Sequence, residues 1–172
     1  MRNLPKPAAV IMSFCLYLCV GHVAVLAGYA APLTTAQIAA RVLPSVVSIT
    51  VLGKDGQILK TGSGFVVSQG IVATNQHVVS GAHAVTINFA SGHSVSSPGF
   101  IVERTRFDLA LIACDTGNAP SLPLADTSAV NIGEDVVAIG SPEGLTGSVA
   151  TGIVSGIRNM PARRNEKVFQ TT

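Results

Sequence analysis

His77 closes the run Ile71–Val72–Ala73–Thr74–Asn75–Gln76, which reads as a strand ending in a turn. An imidazole at a strand end stands on a rigid base at the rim of a sheet, where it can take up or release a proton. Asp108 opens the apolar run Leu109–Ala110–Leu111–Ile112–Ala113. A carboxylate that begins a buried strand is costly unless it accepts hydrogen bonds or faces a positive charge. One partner of that kind is a histidine that donates its ring N–H and becomes cationic during a reaction. Taken singly, each residue has a plainer alternative. Strand-end histidines are ordinary, and Asp108 can be an exposed turn residue paired with Arg104 or Arg106. Spacing alone leaves both alternatives open.

The remaining chemistry-bearing residues are weaker candidates. His83 and His93 sit beside small and glycine residues in expected loops, and a set of His77, His83, His93 and Asp108 lacks any recognised metal-ligand spacing. No metal or organic cofactor is expected. Gly62–Ser63–Gly64 runs into Phe65–Val66–Val67 rather than into a helix. It is therefore neither a phosphate loop nor a nucleophile elbow, and Ser63 reads as a strand-start residue. Cys15 and Cys19 fall in the N-terminal apolar run and leave Cys114 alone, so no intrachain disulfide is expected in the mature part. Cys114 follows an apolar run and reads as a buried, inert thiol; a Cys/His protease would need it exposed and paired.

The elements that must position these residues are mostly strands. Short Val/Ile-rich runs punctuated by 17 glycines predict an all-β domain. Strands are expected at Val46–Val51, Gly64–Val67, Ile71–Thr74, Ala84–Phe89, Gly99–Glu103, Asp108–Ala113, Asp135–Ile139, Ser148–Ser155 and Lys167–Gln170. Before them, Thr34 or Thr35 caps a short helix over residues 36–42 that stops before Pro44. Residues 119–131, with Pro120 and Pro123, read as a connector between two halves.

Residues 1–30 read differently. A short basic start, the apolar stretch of residues 8–31 and the small residues of Gly28–Tyr29–Ala30 predict a secretory leader cleaved after Ala30. The stretch is also long enough for an uncleaved inner-membrane anchor, the only membrane contact expected. Either way the domain is exported, periplasmic or secreted. Without Arg2 and Lys6 the basic residues equal the 9 acidic ones in number, so no footprint for nucleic acid is expected. Arg158, Arg163, Arg164 and Lys167, interrupted by Glu166, read as a solvated loop.

Set in order, these tracts resemble the HtrA (DegP-like) serine proteases. Gly62–Ser68 followed by Ile71–Val79 resembles their segment around the catalytic histidine, and Asp108–Ile112 that around the catalytic aspartate. The interval of 31 positions between His77 and Asp108 is also of the family's size. Leu122–Asp126, Gly133–Pro142 and the stretch from Gly144 to Gly156 are similar in the same order, the resemblance beginning near Arg41 and covering the rest of the chain. It implies a chymotrypsin-like double β-barrel with the active site between the barrels. His77 is then the general base, and Asp108 orients it and stabilises its imidazolium.

In that family a Phe-Gln-Thr segment precedes, by about ten residues, a Gly-Asn-Ser-Gly-Gly type tract that carries the nucleophile and an oxyanion-hole amide. Phe169–Gln170–Thr171–Thr172 stands here at the end of the sequence, with Thr172 where many members have Asp and some have Thr. The expectation is a domain over 31–172, with a complete first barrel over 34–118 and part of a second over 132–172. The catalytic serine would lie beyond Thr172. The implied function is a cell-envelope serine endopeptidase cleaving unfolded or damaged proteins, forming homotrimers by family analogy. A catalytically inactive binding or regulatory module is the alternative.

Overall fold

β-Branched residues crowd the middle of this chain, and the central strands they form bury largely alternate residues. The computed structural model describes residues 31–97, 102–141, 147–160 and 166–172, and Leu33–Thr172 make up one compact unit. The expected leader or anchor, apart from Ala31, lies outside the described residues. No helix among the described residues is long and apolar enough to cross a membrane.

Helix α1 (Thr35–Val42) starts where the sequence places its cap. The Thr34 hydroxyl accepts from the Gln37 N–H at 3.3 Å, and the Gln37 side chain accepts from the Thr34 N–H at 2.9 Å. This reciprocal pair satisfies two donors that a helix start otherwise leaves open. Pro44 then diverts the chain into a single 3₁₀ turn over Leu43–Ser45.

Seven strands follow: β1 (Val46–Leu52), β2 (Ile58–Ser68), β3 (Ile71–Thr74), β4 (Ala84–Phe89), β5 (Ser94–Ser97), β6 (Val102–Arg104) and β7 (Leu109–Ala113). They form one antiparallel sheet in the order β5-β4-β1-β2-β3-β7-β6, with β5 and β6 at its edges. A one-turn helix, α2 (Gln76–Val79), interrupts the run between β3 and β4. The core is built from alternate residues of the central strands. Val47, Ile49 and Val51 of β1 pair directly with Phe89, Ile87 and Val85 of β4, and all six are buried. Such same-face pairs are the unit of sheet stabilisation. Truncating one, as in Ile49→Ala, costs about 2–5 kcal/mol.

Beyond a connector holding one 3₁₀ turn at Thr127–Ala129, the chain forms a second, three-stranded sheet. Its order is β10-β9-β8, from β8 (Asp135–Gly140), β9 (Ser148–Met160) and β10 (Glu166–Thr171). This sheet is poorly covered. Val154 is buried, whereas Val149, Ile153 and Val168 are exposed. Gly152 has no side chain because the carbonyl of Thr172 occupies that space, and Thr172 exchanges two 3.3 Å backbone bonds with Ile153.

The basic residues near the end are not all in a loop. Arg158 lies in β9 and Lys167 in β10, and the Arg158 Nε donates to the Gln170 side chain at 3.0 Å. The β9–β10 ladder runs on past the apolar residues that mark its start in the sequence, which is why a reading by hydropathy misplaces it; Arg163 and Arg164 lie outside the described residues.

Candidate active site

Strand β3 delivers the histidine. Its last residue, Thr74, is buried, and the Thr74 hydroxyl donates to the Ser63 carbonyl at 2.7 Å. Asn75 follows in an extended conformation and α2 begins, with His77 as its second residue. Val78 and Val79 then turn into the core, so a short amphipathic step fixes the direction of the turn. Gly62 of β2 makes room for it. A Cβ on Gly62 would lie 2.5 Å from Cγ1 of Val78, far inside contact distance. From the same strand the Lys60 ammonium donates to the His77 carbonyl at 2.6 Å.

Asp108 directly precedes β7, whose first residues lie beside the end of β3. It caps the 3₁₀ turn Thr105–Phe107 in the left-handed region, with φ 52°. Among the described residues it is the one non-glycine residue with positive φ. That conformation costs an ordinary L-residue roughly 1–2 kcal/mol and is best tolerated by Asp and Asn. Backbone strain of this kind persists where the surroundings over-determine it, and here they do.

The Asp108 carboxylate accepts three hydrogen bonds. Oδ1 accepts from the His77 backbone N–H at 2.8 Å, and Oδ2 meets His77 Nδ1 at 2.7 Å. The amide of Asn75 donates to Oδ2 and to the Asp108 carbonyl, each at 3.2 Å. The His77 backbone N–H, then its ring, hold the carboxyl below its ordinary 3.8 against the opposing effect of burial, and the histidine's charge and Asn75 add smaller contributions. An anionic Asp108 accepts a proton bond from Nδ1, so the neutral ring carries its hydrogen there and leaves the Nε2 lone pair free. The side chains are 69% and 33% exposed for His77 and Asp108, so the ring is open to a reacting group. Beside the pair lies a cavity of about 610 Å³ between the two sheets. Asn75, Asp108, Phe65 and Leu109 line it from the large sheet, Val137 and Ile139 from the small one.

The family model for a trypsin-like peptidase domain matches residues 62–172. The chain belongs to that family. It is 39% identical over 102 residues to a probable periplasmic serine endoprotease, DegP-like, of Halomonas elongata, an alignment covering 58% of this chain and 21% of that protein. To serine protease HTRA1A of Danio rerio it is 39% identical over 127 residues, covering 70% of this chain and 26% of that one. Among solved structures, the HtrA-type protease AlgW with tripeptide superposes with a TM-score of 0.67 at 25% identity, over 74% of this chain and 42% of that one. A serine endoprotease from Yersinia pestis shares the fold, with a TM-score of 0.66 at 24% identity over 83% and 55% of the two chains. The domain is thus HtrA-like, and it spans between 21% and 26% of the length of the two curated relatives.

Of the sequence candidates, the trypsin-like domain brings His77 and Asp108 together and leaves the others apart. His83 and His93 lie at the two ends of β4, separated from β3 by β1 and β2. The His93 ring packs on Phe89, with 5.6 Å between centroids. Cys114 is a free, half-buried thiol whose pKa burial pushes up, the opposite of an activated nucleophile. Ser63 does more than start a strand. It lies inside β2, and its hydroxyl accepts from the N–H of buried Ser141 at 2.7 Å, tying the large sheet to the end of β8. Asn75, Lys60 and Gly62 escaped the sequence reading, since an amide, an ammonium and a bare backbone announce no partner.

Proposed function

We propose that this chain supplies the histidine and aspartate of a Ser/His/Asp endopeptidase that cleaves unfolded or damaged polypeptides in the cell envelope. The observation that carries the reading is the 2.7 Å contact between His77 Nδ1 and Asp108 Oδ2. With Nδ1 engaged, Nε2 takes the proton of a seryl hydroxyl as it attacks the scissile carbonyl. The resulting imidazolium faces the Asp108 carboxylate, which lowers the energy of that charge. The proton then passes to the leaving amine, and water repeats the sequence on the acyl-enzyme. In this reading the nucleophile belongs to a tract following Phe169–Thr172, as the resemblance to HtrA proteases implies.

The same reading takes residues 34–118 as a complete first barrel and 132–172 as part of a second, with the 610 Å³ cavity where the two face each other. Residues 1–30 serve as a cleaved leader, or residues 8–31 as an inner-membrane anchor. A periplasmic location is supported by the relative from Halomonas elongata, which is named as periplasmic. A homotrimer rests on family analogy.

Turnover of fluorescently labelled, unfolded casein by the exported protein tests the assignment. Both His77→Ala and Asp108→Asn should lower kcat by about 10⁴-fold while leaving casein binding in place. Unchanged turnover in either variant removes that residue from the mechanism. A wild-type protein that binds casein without cutting it would instead be a binding module.

A further inference from the structure

An asparagine at the start of a helix ordinarily turns its side chain back to accept from the helix's own N–H groups. Asn75 occupies that position ahead of α2 and makes no such bond. The cap comes instead from 31 residues away, because Asp108 Oδ1 accepts the His77 N–H at 2.8 Å. The amide of Asn75, released from capping, spans Asp108 instead, reaching both its carboxylate Oδ2 and its own backbone carbonyl at 3.2 Å. Both targets are acceptors, so the group facing them is the NH₂ and not the carbonyl of the amide.

We infer that Asn75 is a positioning residue, which locks the Asp108 carboxylate in the orientation that selects the Nδ1–H tautomer of His77. The inference rests on the functional reading of the pair and extends it to a third residue. The geometry explains why an amide is needed. A carboxylate that turns about both Cα–Cβ and Cβ–Cγ can swing Oδ2 away from the imidazole while still accepting the backbone N–H. A donor that holds Oδ2 and the Asp108 carbonyl together ties the side chain to its own main chain and removes that freedom. Asn75 has two amide hydrogens to divide between the two acceptors. A leucine there has none, and an aspartate has none and adds a like charge beside Asp108. Asp108 is strained at φ 52°, so its carboxylate depends on outside contacts more than a relaxed residue would.

The ¹⁵N shifts of the two ring nitrogens of His77, read through the carbon-bound ring protons, test this in the purified chain. Followed into alkaline solution, the shifts report which nitrogen of the neutral ring carries the hydrogen. The wild type should show the Nδ1–H form, Asp108→Asn the Nε2–H form, and Asn75→Leu and Asn75→Asp a mixture. In the casein assay both Asn75 variants should lose about tenfold in kcat at unchanged KM, with Asn75→Asp the worse. Asn75 is exposed, so both variants should keep the wild-type unfolding midpoint within a degree or so, which separates the effect from a loss of structure. Ring nitrogens in Asn75→Leu and Asn75→Asp that match the wild type overturn the role of Asn75 and leave the pair intact. A wild type lacking the Nδ1–H form overturns the His77–Asp108 reading itself, and this inference with it.

Discussion

At the scale of single residues, Asp108 couples the site to pH. Its carboxyl titrates below the ordinary 3.8 in the folded chain, chiefly because the His77 backbone N–H and then the His77 ring donate to it. As pH falls, the unfolded chain therefore takes up this proton before the folded one does. The stabilisation from these bonds is complete above the ordinary value and is lost as pH drops through it toward the lower folded value. Asp108→Asn carries no such proton. The wild-type advantage in unfolding midpoint over Asp108→Asn should be full at about pH 6 and shrink steadily below pH 3.8. Thermal melts at half-unit steps check it. An advantage that does not change between those limits would mean the carboxylate is not held by its neighbours.

At the scale of elements, α2 stands on a gap in β2. Gly62 gives Val78 its place, and Val78 is the residue after His77. A methyl group at position 62 would meet the Val78 side chain at 2.5 Å, and Val78 is itself buried at 8% exposure. Gly62→Ala should cost about 1–3 kcal/mol of stability by overpacking and should lower peptidase turnover by moving His77. Val78→Ala opens the space again, so the double variant should be more stable than the two single losses added together. Urea titration of the four proteins gives the coupling. A Gly62→Ala chain as stable as wild type, or strictly additive losses, would show that the glycine is not there for Val78.

The same elements show what the sequence can and cannot disclose. Strands β3 and β4 fall within the limits expected from their runs, because Ile71–Thr74 and Ala84–Phe89 are bounded by turn residues on both sides. Strand β2 begins six residues earlier than expected, since Lys60, Thr61, Gly62 and Ser63 lack the apolar pattern while still pairing with β1. Strand β5 was not foreseen. It has one apolar residue, Val95, and exists through its ladder with β4. The meeting of His77 and Asp108 was legible only through the order of tracts that resembles a known family, because a place at the edge of an apolar run left each residue a plainer reading. Asn75 was not, because its role depends on a residue 33 positions away and on forgoing the cap that its own position suggests.

At the scale of the whole molecule, the two sheets differ in how they are held. The buried cluster draws on β1, β2, β3, β4, β7 and α2, and includes no residue of β8, β9 or β10. The small sheet relies instead on its own ladders and on a few ties to the large one, among them the 2.7 Å bond from the Ser141 N–H to the Ser63 hydroxyl. Segments with little buried apolar contact open locally at a lower free energy than the global transition. Native-state hydrogen exchange should therefore show the amides of β8 and β9 exchanging through sub-global opening, while those of β1 and β4 wait for global unfolding. Ser63→Ala removes the hydroxyl that Ser141, only 2% exposed, donates to, which should weaken protection across β8 by about 1–3 kcal/mol. The amides of β4, on the far side of β1, should not respond. Equal acceleration in both sheets would make the molecule one cooperative unit, and would place the effect of Ser63 in the large sheet's own packing. Acceleration confined to β8 would locate the tie between the sheets at Ser63, one hydrogen bond from Thr74 and so from the strand that carries His77.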